Sequence, residues 1–391
     1  MTERTTAAPT PGSSPVPYVP GLADVPAARS SICFIDGDQG ILEYRGLSIE
    51  SLAEHSTFEE TSYLLLWGKL PNKTELEKWS KDLSTNRDVR FRLIDLLKTL
   101  PDTGHPMEAL QAAIAALGMF YPDRDPMNPT DRYNSAVRII AKAPTLVAAY
   151  HRLSSGKEYV PPREDLAHAE NFLYMVAGEE PEADVARVMD ISFILHAEHS
   201  MNASTFAGRV TASTLADPYT VVTSAIGALT GPLHGGANEQ VIHMLQQIGE
   251  VEKVRPYIED LIRRKEKIMG IGHRIYRVKD PRALVLQKLA AQMIAKRGVD
   301  PLLAVAQEVE KVVAEHLAAK KIYPNVDFYS GVVYEAMGMP ASLFTPMFAI
   351  ARVSGWLAHW LEQLEDNRIY RPSQIYTGTH NEPYLPIEER V

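Results

Sequence analysis

Cysteine is almost missing from this chain of 391 residues, which contains one, Cys33. A single cysteine cannot form an internal disulfide or supply a cysteine zinc cluster, so the sequence fits a reducing compartment. The chain also lacks an apolar run of the roughly 18 residues that span a bilayer. Its most hydrophobic late stretch, residues 344–361, is interrupted by Arg352. We therefore expect neither a disulfide framework nor a membrane span.

An excess of positive charge is missing as well, because the formal net charge is −9. An acidic chain does not have the basic surface that general nucleic-acid or anionic-membrane binding requires. At the N-terminus no basic region precedes an apolar one, and the early Arg4 follows Glu3. Such a start predicts neither a secretory signal nor an arginine-rich transit peptide. We expect a soluble, cytoplasmic protein that binds neither nucleic acid nor membrane.

The first 28 residues are rich in Thr, Ala, Ser and Pro. Proline at this density removes helical hydrogen bonds, so residues 1–28 are predicted to be a flexible leader. The one strand signal follows, where apolar stretches at 31–35 and 41–45 flank the glycine-containing segment 36–40. This pattern predicts a β-hairpin that packs on helices, since so small a ribbon is marginally stable alone.

Nearly all of the remaining sequence is predicted to be helical. A capping box formed by Ser56 and Glu59 opens a predicted helix that stops at Gly68. Farther along, apolar residues recur as a helical stripe at Val185, Val188, Met189 and Phe193. No period of 20–50 residues recurs, so a solenoid is not supported. The fold class predicted from these patterns is all-α.

Two histidines, His196 and His199, lie three residues apart and would share one face of a helix. The zincin pattern His-Glu-x-x-His is absent, and no third metal ligand is evident in the sequence. Three interpretations stay open for the pair: a metal site, satisfied structural histidines, or recognition of an anion or carbonyl.

His234 lies in the sequence Gly-Pro-Leu-His-Gly-Gly-Ala-Asn, ahead of a predicted helix. The two glycines allow a ligand to approach closely, and the positive end of a helix disfavours a charged imidazole. A neutral His234 could donate a hydrogen bond to a developing oxyanion. Esterase oxyanion loops also contain His-Gly-Gly, but the Gly-x-Ser-x-Gly elbow that they require is missing here. A structural loop histidine is the alternative interpretation.

Residues 263–282 form the one strongly basic stretch, with eight Lys or Arg against two Asp or Glu. Gly270 and Gly272 precede His273 and permit backbone contact with a ligand, while the basic side chains suit phosphate or carboxylate. The stretch is neither a P-loop nor a Gly-x-Gly-x-x-Gly loop, and a solvated basic helix end is the alternative. Farther on, Asp327 lies at a predicted helix start, where a carboxylate either caps the helix or serves the chemistry.

In their order and spacing, four motifs of the chain resemble those of the citrate synthase family, which includes 2-methylcitrate synthase. They are His-x-x-His-x-x-Asn-Ala-Ser, Gly-Pro-Leu-His-Gly-Gly-Ala-Asn, Gly-x-Gly-His followed by Asp-Pro-Arg, and Pro-Asn-Val-Asp. The resemblance runs from about Gly21 to the Pro-Ile-Glu-Glu-Arg ending at 386–390 and leaves the leader outside. It implies a citrate synthase-like two-domain helical fold with a small N-terminal β-hairpin. The large domain would be 29–222 with 333–391, and the small domain 223–332 would carry the coenzyme A site.

The family's site residues map onto this sequence by motif. The implied catalytic residues are His234, His273 and Asp327. The implied oxaloacetate-binding residues are His199, Arg282, Arg352 and Arg371. The implied coenzyme A contacts are Lys265, Lys267, Gly270, Gly272 and Arg277. The resemblance further implies a homodimer in which Arg371 reaches the site of the second subunit.

The activity that the resemblance implies is condensation of acetyl-CoA with oxaloacetate and water to give citrate and coenzyme A, a step of the tricarboxylic acid cycle. The coenzyme A thioester is a substrate, and neither a metal nor a tightly bound cofactor is implied. The nearest alternative is 2-methylcitrate synthase, which uses propionyl-CoA and differs by one methylene in an apolar pocket. Alternatives from other classes are a metal hydrolase using His196 and His199, and a non-catalytic helical binding protein.

Overall fold

The computed structural model describes residues 18–297 and 301–390. In these residues the regular structure consists of sixteen α-helices, one small antiparallel sheet and a few short 3-10 turns. The strands are β1 (Cys33–Asp36), β2 (Ile41–Tyr44) and β3 (Leu47–Ser48). The helices are α1 (Ile49–His55), α2 (Phe58–Trp67), α3 (Lys73–Thr85), α4 (Phe91–Thr99), α5 (Pro106–Gly118), α6 (Pro129–Ser154), α7 (His168–Ala177), α8 (Ala183–His196), α9 (Ala203–Ala212), α10 (Pro218–Leu229), α11 (Ala237–Ile248), α12 (Val251–Arg264), α13 (Pro281–Arg297), α14 (Pro301–Leu317), α15 (Val326–Ala336) and α16 (Phe344–Glu365). The predicted all-α class with a small β-hairpin is confirmed.

The chain divides into two units. One unit is Ser31–Ile369, which holds the sheet and all of the named helices. The other consists of the terminal segments, in which the Tyr370 hydroxyl donates a hydrogen bond to the Ala27 carbonyl at 3.1 Å. Of the predicted leader, residues 1–17 lie outside the described residues, and a short 3-10 turn follows at Pro20–Leu22.

The predicted hairpin is present in the register that its loop imposes. β1 pairs with β2 so that Cys33 lies opposite Tyr44 and Asp36 opposite Ile41. In the loop, the Asp36 carboxylate accepts the backbone N–H groups of Asp38 and Gln39 at 3.0 and 2.9 Å. Such Asx geometry replaces the backbone hydrogen bonds that the ladder no longer supplies. The third strand, β3, pairs with β2 and was not anticipated from its two residues.

The helix cap predicted at Ser56 is wrong by one residue. Thr57 caps α2, because its hydroxyl accepts the backbone N–H of Glu60. The Ser56 hydroxyl bonds the Glu60 carboxylate at 2.7 Å instead. Glu59, the expected second member of the capping box, accepts the backbone N–H of His168 on α7 at 2.8 Å. A tertiary contact therefore takes the carboxylate that local sequence assigned to the helix start.

Two other helix predictions are confirmed. α2 ends at Gly68, whose φ of 77° is the left-handed conformation that favours glycine at this position. The apolar stripe of α8 is buried as expected, at Val185, Val188, Met189 and Phe193. Burial of such a stripe supplies most of a helix's stability in a folded protein.

The centre of the larger unit is α16, most of whose side chains are buried, including Trp356 and Trp360. It contacts α2, α6, α8, α9 and α10. A helix that is apolar all round needs neighbours on every side, and this arrangement carries Arg352 into the interior. Among the described helices, none is long and apolar enough to cross a membrane.

Helices from the predicted small domain pack on one another. α15 contacts α11, α13 and α14, and α12 contacts α11 and α14. These contacts bring the segment before α13 next to the start of α15, which is where the candidate site lies. The proposed domain boundaries, 29–222 with 333–391 and 223–332, stay a prediction.

Candidate active site

Two of the predicted histidines lie side by side. His199 follows the end of α8, and its ring centroid is 5.3 Å from that of His273, in the segment between α12 and α13. Tyr276 completes the group, with ring centroids 5.7 Å from His199 and 4.8 Å from His273. The Tyr276 hydroxyl lies 3.2 Å from Nε2 of His199. Two motifs far apart in sequence thus form one aromatic cluster.

Gly270 and Gly272, which precede His273, hold the segment between α12 and α13 against the residues at the start of α15. Gly270 has a φ of 73°, and a Cβ there would lie 2.6 Å from Val241 Cγ2 and 2.9 Å from Phe328 Cβ. The carbonyl of Gly270 accepts the backbone N–H of Asn325 at 2.9 Å, and that of Gly272 accepts the Asn325 side chain at 2.9 Å. Only glycine fits a positive φ with so little space, so the motif places His273 next to the residues that precede Asp327.

His273 is held as a neutral donor. Its Nδ1 accepts the backbone N–H groups of Ile275 and Tyr276 at 3.0 and 3.3 Å. Burial, with a smaller effect from Arg282, lowers the pKa of His273 to about 4. A neutral imidazole with Nδ1 as acceptor carries its proton on Nε2, so this nitrogen can donate to a ligand.

His234 is also a neutral donor, but here Nε2 is the acceptor nitrogen and Nδ1 is the donor. Its Nε2 accepts the backbone N–H of Ser204 at 3.3 Å and lies 2.9 Å from the Ser204 hydroxyl. That hydroxyl also accepts the indole N–H of Trp356 at 3.1 Å. Burial first, and then Arg352, lowers the pKa of His234 to about 4. The ring therefore carries its proton on Nδ1.

The position expected for His234 is confirmed, since it lies in the turn before α11, whose N-cap is Gly236. Its neutral state follows chiefly from burial and not from the helix dipole that the sequence suggests.

Asp327 is the second residue of α15, but it does not cap the helix. The N-cap is Asn325, whose side chain accepts the backbone N–H of Asp327 at 3.0 Å. In the described residues no hydrogen bond reaches the Asp327 carboxylate. Burial raises its pKa to about 6 against the opposing charge of Arg282. Of the two interpretations left open by the sequence, the geometry favours a group available for chemistry.

The two buried arginines differ in their pairing. Arg282 is 2% exposed and binds Asp280 in a bidentate pair, with Nε–Oδ1 and Nη2–Oδ2 distances of 3.1 and 2.8 Å. Arg352 is 1% exposed; its Nε donates to the His196 carbonyl at 2.7 Å, and its guanidinium lies 4.6 Å from the Phe348 ring centroid. Among the described residues no carboxylate forms an ion pair with Arg352. Burial lowers its pKa.

The charge of Arg352 acts on three other residues of the cluster. It contributes to the lowered pKa values of His199 and His234, and it opposes the burial that raises the pKa of Asp327. The structure therefore brings together six of the predicted site residues: His199, His234, His273, Arg282, Asp327 and Arg352.

His196 is a buried structural histidine rather than a metal ligand, with one ring nitrogen, Nδ1, hydrogen-bonded and Nε2 without a partner among the described residues. It is fully buried, its Nδ1 lies 2.8 Å from the Ser192 carbonyl, and its ring packs on Phe348 with centroids 5.0 Å apart. Burial lowers its pKa to about 3. Throughout residues 18–297 and 301–390, no group of three His, Cys, Asp or Glu could hold a metal ion.

Three of the five predicted coenzyme contacts lie at the surface of the same unit, whereas Gly270 is buried and Gly272 half-buried. Lys265, Lys267 and Arg277 have exposed side chains. Arg277 is anchored through its backbone, whose N–H donates to the Gly37 carbonyl in the hairpin loop at 2.8 Å. Arg371 belongs to the unit of terminal segments, where it is exposed and donates to the Pro372 carbonyl at 2.9 Å.

Sequence reasoning missed three residues that the geometry places around the histidines: Tyr276, Ser204 and Asp280. Ser204 and Asp280 belong to motifs that were noted, Asn-Ala-Ser and Asp-Pro-Arg, without a role assigned to them. An acidic residue two positions before an arginine in a basic stretch was a usable signal for the Asp280 pair. Nothing in the local pattern marks Tyr276.

Comparison with known proteins gives one consistent result. The family model described as "Citrate synthase, C-terminal domain" matches residues 21–373. A citrate synthase from Synechocystis sp. is 56% identical over 371 residues, which cover 95% of this chain and 94% of that protein. The solved citrate synthase from Pyrobaculum aerophilum is 43% identical with a TM-score of 0.91, covering 99% of this chain and 100% of the other.

A second similar solved structure is the ternary complex of carboxymethyl coenzyme A and oxaloacetate with citrate synthase from Thermoplasma acidophilum. It is 33% identical, has a TM-score of 0.91, and covers 95% of this chain and 99% of its own.

Proposed function

The chain belongs to the citrate synthase family, and we propose that His234, His273 and Asp327 carry the family's reaction in it. The protein is an acyltransferase that condenses acetyl-CoA with oxaloacetate and releases citrate and coenzyme A. The assignment of these residues is supported by one cluster of side chains. In it, two neutral imidazoles with a free N–H, a buried carboxylate with a raised pKa and two buried guanidinium groups share one neighbourhood.

Asp327 is proposed as the base that removes a proton from the methyl group of acetyl-CoA. A carboxylate whose pKa is raised to about 6 is a stronger base than an exposed one and is still mostly ionised at neutral pH. The proton from Nδ1 of His234 is available to the thioester oxygen, on which negative charge develops as the enol or enolate forms. The Ser204 contact holds that ring so that Nδ1 is the donor.

His273 is proposed to act on oxaloacetate. Its Nε2–H polarises the ketone that the enolate attacks and then protonates the alkoxide that results. The two arginines, Arg282 and Arg352, supply positive charge for the carboxylates of oxaloacetate, which fixes the orientation of the reacting ketone. Water then hydrolyses the citryl thioester. The proposed steps use protein groups alone, and the coenzyme A thioester enters as a substrate.

The coenzyme contacts are proposed at the exposed end of the basic stretch. Lys265, Lys267 and Arg277 suit the phosphates of coenzyme A by charge and exposure. Gly272 is half-buried and has no Cβ, which suits close approach of the adenine to the backbone. Gly270 is proposed from the motif alone, because Val241 and Phe328 pack where its Cβ would lie. The complex from Thermoplasma acidophilum, which contains carboxymethyl coenzyme A and oxaloacetate, supports ligands of these two classes.

Three finer features are proposed as well. The chain forms a homodimer in which Arg371 of each subunit contacts oxaloacetate in the other. It acts in the tricarboxylic acid cycle and resides in the cytoplasm. Oxaloacetate, by bridging groups of the large and small domains, closes the site and shields the enolate from water.

The experiment that tests the proposed function is release of free coenzyme A, followed with a thiol reagent. Acetyl-CoA and oxaloacetate together are expected to give release, and either one alone is not. The same assay with propionyl-CoA separates the acetyl from the propionyl enzyme. One methylene in an apolar pocket distinguishes two substrates by about 1–3 kcal/mol, or roughly 10- to 200-fold in kcat/KM.

A higher kcat/KM for propionyl-CoA than for acetyl-CoA would assign the chain to the 2-methylcitrate branch. Release of coenzyme A without oxaloacetate would indicate a thioesterase instead and contradict the condensation.

A further inference from the structure

Two histidines of the site owe their protonation pattern to backbone donors. His234 receives the N–H of Ser204, and His273 receives that of Ile275. A neutral imidazole has one N–H and one acceptor nitrogen, so each ring carries its proton on the nitrogen that the backbone leaves free. No backbone N–H is bonded to a ring nitrogen of His199 in the described residues. A third donor is required if this ring is to have a fixed tautomer.

Tyr276 is the residue placed to supply that donor. Its hydroxyl lies 3.2 Å from Nε2 of His199, which is its hydrogen-bond partner among the described residues. Tyr276 is 2% exposed and His199 6%, so both groups are shielded from bulk water. Burial raises the pKa of Tyr276, which keeps its proton on the oxygen. A buried hydroxyl needs an acceptor, and Nε2 is the acceptor within reach.

This contact leaves one nitrogen of His199 without a partner. Nδ1 has no hydrogen bond within the part of the chain that the structure describes. When Nε2 accepts from the Tyr276 hydroxyl, Nδ1 carries the proton. An N–H at this position, beside the cations Arg282 and Arg352 that affect the same ring, is a donor for a carboxylate or carbonyl oxygen.

Tyr276 is itself held from two sides. Its backbone N–H donates to Nδ1 of His273 at 3.3 Å. The next residue, Arg277, donates its backbone N–H to the Gly37 carbonyl at 2.8 Å, which ties the segment to the hairpin loop. Tyr276 therefore contacts both site histidines, one through its hydroxyl and the other through its backbone.

We propose that Tyr276 is a positioning residue whose hydroxyl, by donating to Nε2 of His199, fixes the ring with Nδ1–H directed to oxaloacetate. This proposal rests on the proposed function, because it assigns the donor to oxaloacetate. It predicts that the hydroxyl contributes to oxaloacetate binding and not to the chemical steps at acetyl-CoA.

The test is Tyr276→Phe, which keeps the ring and the backbone N–H and removes only the hydroxyl. One neutral hydrogen bond that orients a ligand group is worth a factor of about 3–10 in affinity. We expect KM for oxaloacetate to rise by that factor, while kcat and KM for acetyl-CoA stay within about twofold. An unchanged or lower KM for oxaloacetate, or an equal loss in kcat, would overturn the proposal.

The matched control is Tyr150→Phe. Tyr150 is also 2% exposed, and its hydroxyl donates to the Pro101 and Gly104 carbonyls at 2.7 and 3.0 Å. This variant loses a buried hydroxyl of the same kind away from the histidines, so its kinetic constants are expected to stay unchanged. An equal rise in KM for oxaloacetate in Tyr150→Phe would show a general packing effect and overturn the assignment.

A spectroscopic measurement on the unaltered protein needs no variant of Tyr276. In 15N-imidazole spectra, with the His199 signals identified by their loss in His199→Gln, the proton of His199 is expected on Nδ1. A proton on Nε2 would overturn the proposal even if Tyr276→Phe failed to fold. Calorimetric titration with oxaloacetate distinguishes failure of the proposed function from failure of the role of Tyr276. If the unaltered protein does not bind oxaloacetate, the proposed function is contradicted. If Tyr276→Phe binds it as tightly as the unaltered protein does, only the role of Tyr276 is contradicted.

Discussion

The protonation of Asp327 is expected to set how the rate depends on pH below neutrality. The carboxylate must be ionised to accept the methyl proton of acetyl-CoA, and burial raises its pKa to about 6. The site histidines His234 and His273 have pKa values lowered to about 4. They stay mostly neutral where Asp327 titrates, so Asp327 is the one of these three site residues that changes state between pH 5 and 7.

The magnitude follows from the two ionisation states. With a pKa of about 6, roughly nine-tenths of Asp327 is ionised at pH 7 and roughly one-tenth at pH 5. The value of kcat/KM, which reports the free enzyme, is therefore expected to fall about tenfold over this range. The sign is that of an acid limb: activity is full above the pKa of Asp327 and is lost as pH falls through it. A carboxyl at its ordinary pKa would lose less than about a tenth of its activity over the same range.

Removal of a nearby charge by mutation identifies the titrating group. Lys267 is exposed, and its charge contributes to lowering the pKa of Asp327. Lys267→Met removes that charge, so the midpoint of the acid limb is expected to move to higher pH. Lys265→Met is the matched control, since Lys265 is equally exposed two residues away and is not among the charges that act on Asp327.

The assay is initial rate with both substrates well below their KM values, so that the rate reports the free enzyme, from pH 5 to 8 in buffers of constant ionic strength. A flat profile down to pH 5 would refute the raised pKa of Asp327. The same displacement in Lys265→Met and Lys267→Met would show that the limb follows overall charge rather than the neighbourhood of Asp327.

Three further outcomes follow from the same geometry. Asp327→Asn is expected to lower turnover at least about 10²-fold, with calorimetric binding of oxaloacetate nearly unchanged; near-normal turnover would remove the role of base. Mixing inactive Arg371→Ala with inactive Asp327→Asn is expected to restore part of the activity, because a mixed dimer assembles one intact site; the absence of complementation would contradict the shared site. Gly270→Ala is expected to lower the free energy of unfolding by more than Gly338→Ala does, as measured in urea. Both glycines have positive φ, 73° and 74°, but only a Cβ at Gly270 meets neighbouring atoms within 4 Å; equal losses in the two variants would show that the contacts with Val241 and Phe328 are soft.

Local sequence was sufficient where a short stretch determines its own conformation. The hairpin formed as expected because Asp36 and the loop glycines supply their own turn. The buried stripe of α8 follows directly from its spacing. The cap of α2 shows the limit, since Glu59 is drawn into a contact with His168 that lies more than 100 residues away. Such a contact is invisible to any window of local sequence.

The same limit of local sequence applies to the candidate site. The motifs located His234, His273 and Asp327, because glycines and helix starts mark them in the chain. Their chemical state could not be predicted, since it depends on burial and on partners from other elements. Ser204 on α9 sets the tautomer of His234, and burial raises the pKa of Asp327. Position was therefore encoded locally, whereas acidity was determined by packing.

The sequence predicts only the total charge of the basic stretch, and the structure divides its residues into those with and those without a carboxylate partner. Of its eight basic residues, four have carboxylate partners: Arg263, Arg264, Lys279 and Arg282. The others, Lys265, Lys267, Arg274 and Arg277, are exposed and without an ion pair in the described residues, which suits a mobile polyanion such as coenzyme A.

Arg282 is the exception within the stretch, because it is buried and already neutralised by Asp280. Pairing of this kind satisfies a buried guanidinium at the expense of its net charge. Arg352, which lies outside the stretch on α16, is the second buried cation of the cluster. No carboxylate forms an ion pair with it among the described residues, although the charge of buried Glu198 acts on it. For the proposed oxaloacetate site we therefore expect Arg352 to supply more of the net positive charge than Arg282, whose fixed geometry is expected to contribute orientation. A net charge of −9 is compatible with an anionic substrate, because salt screens exposed charges strongly and a buried cation much less.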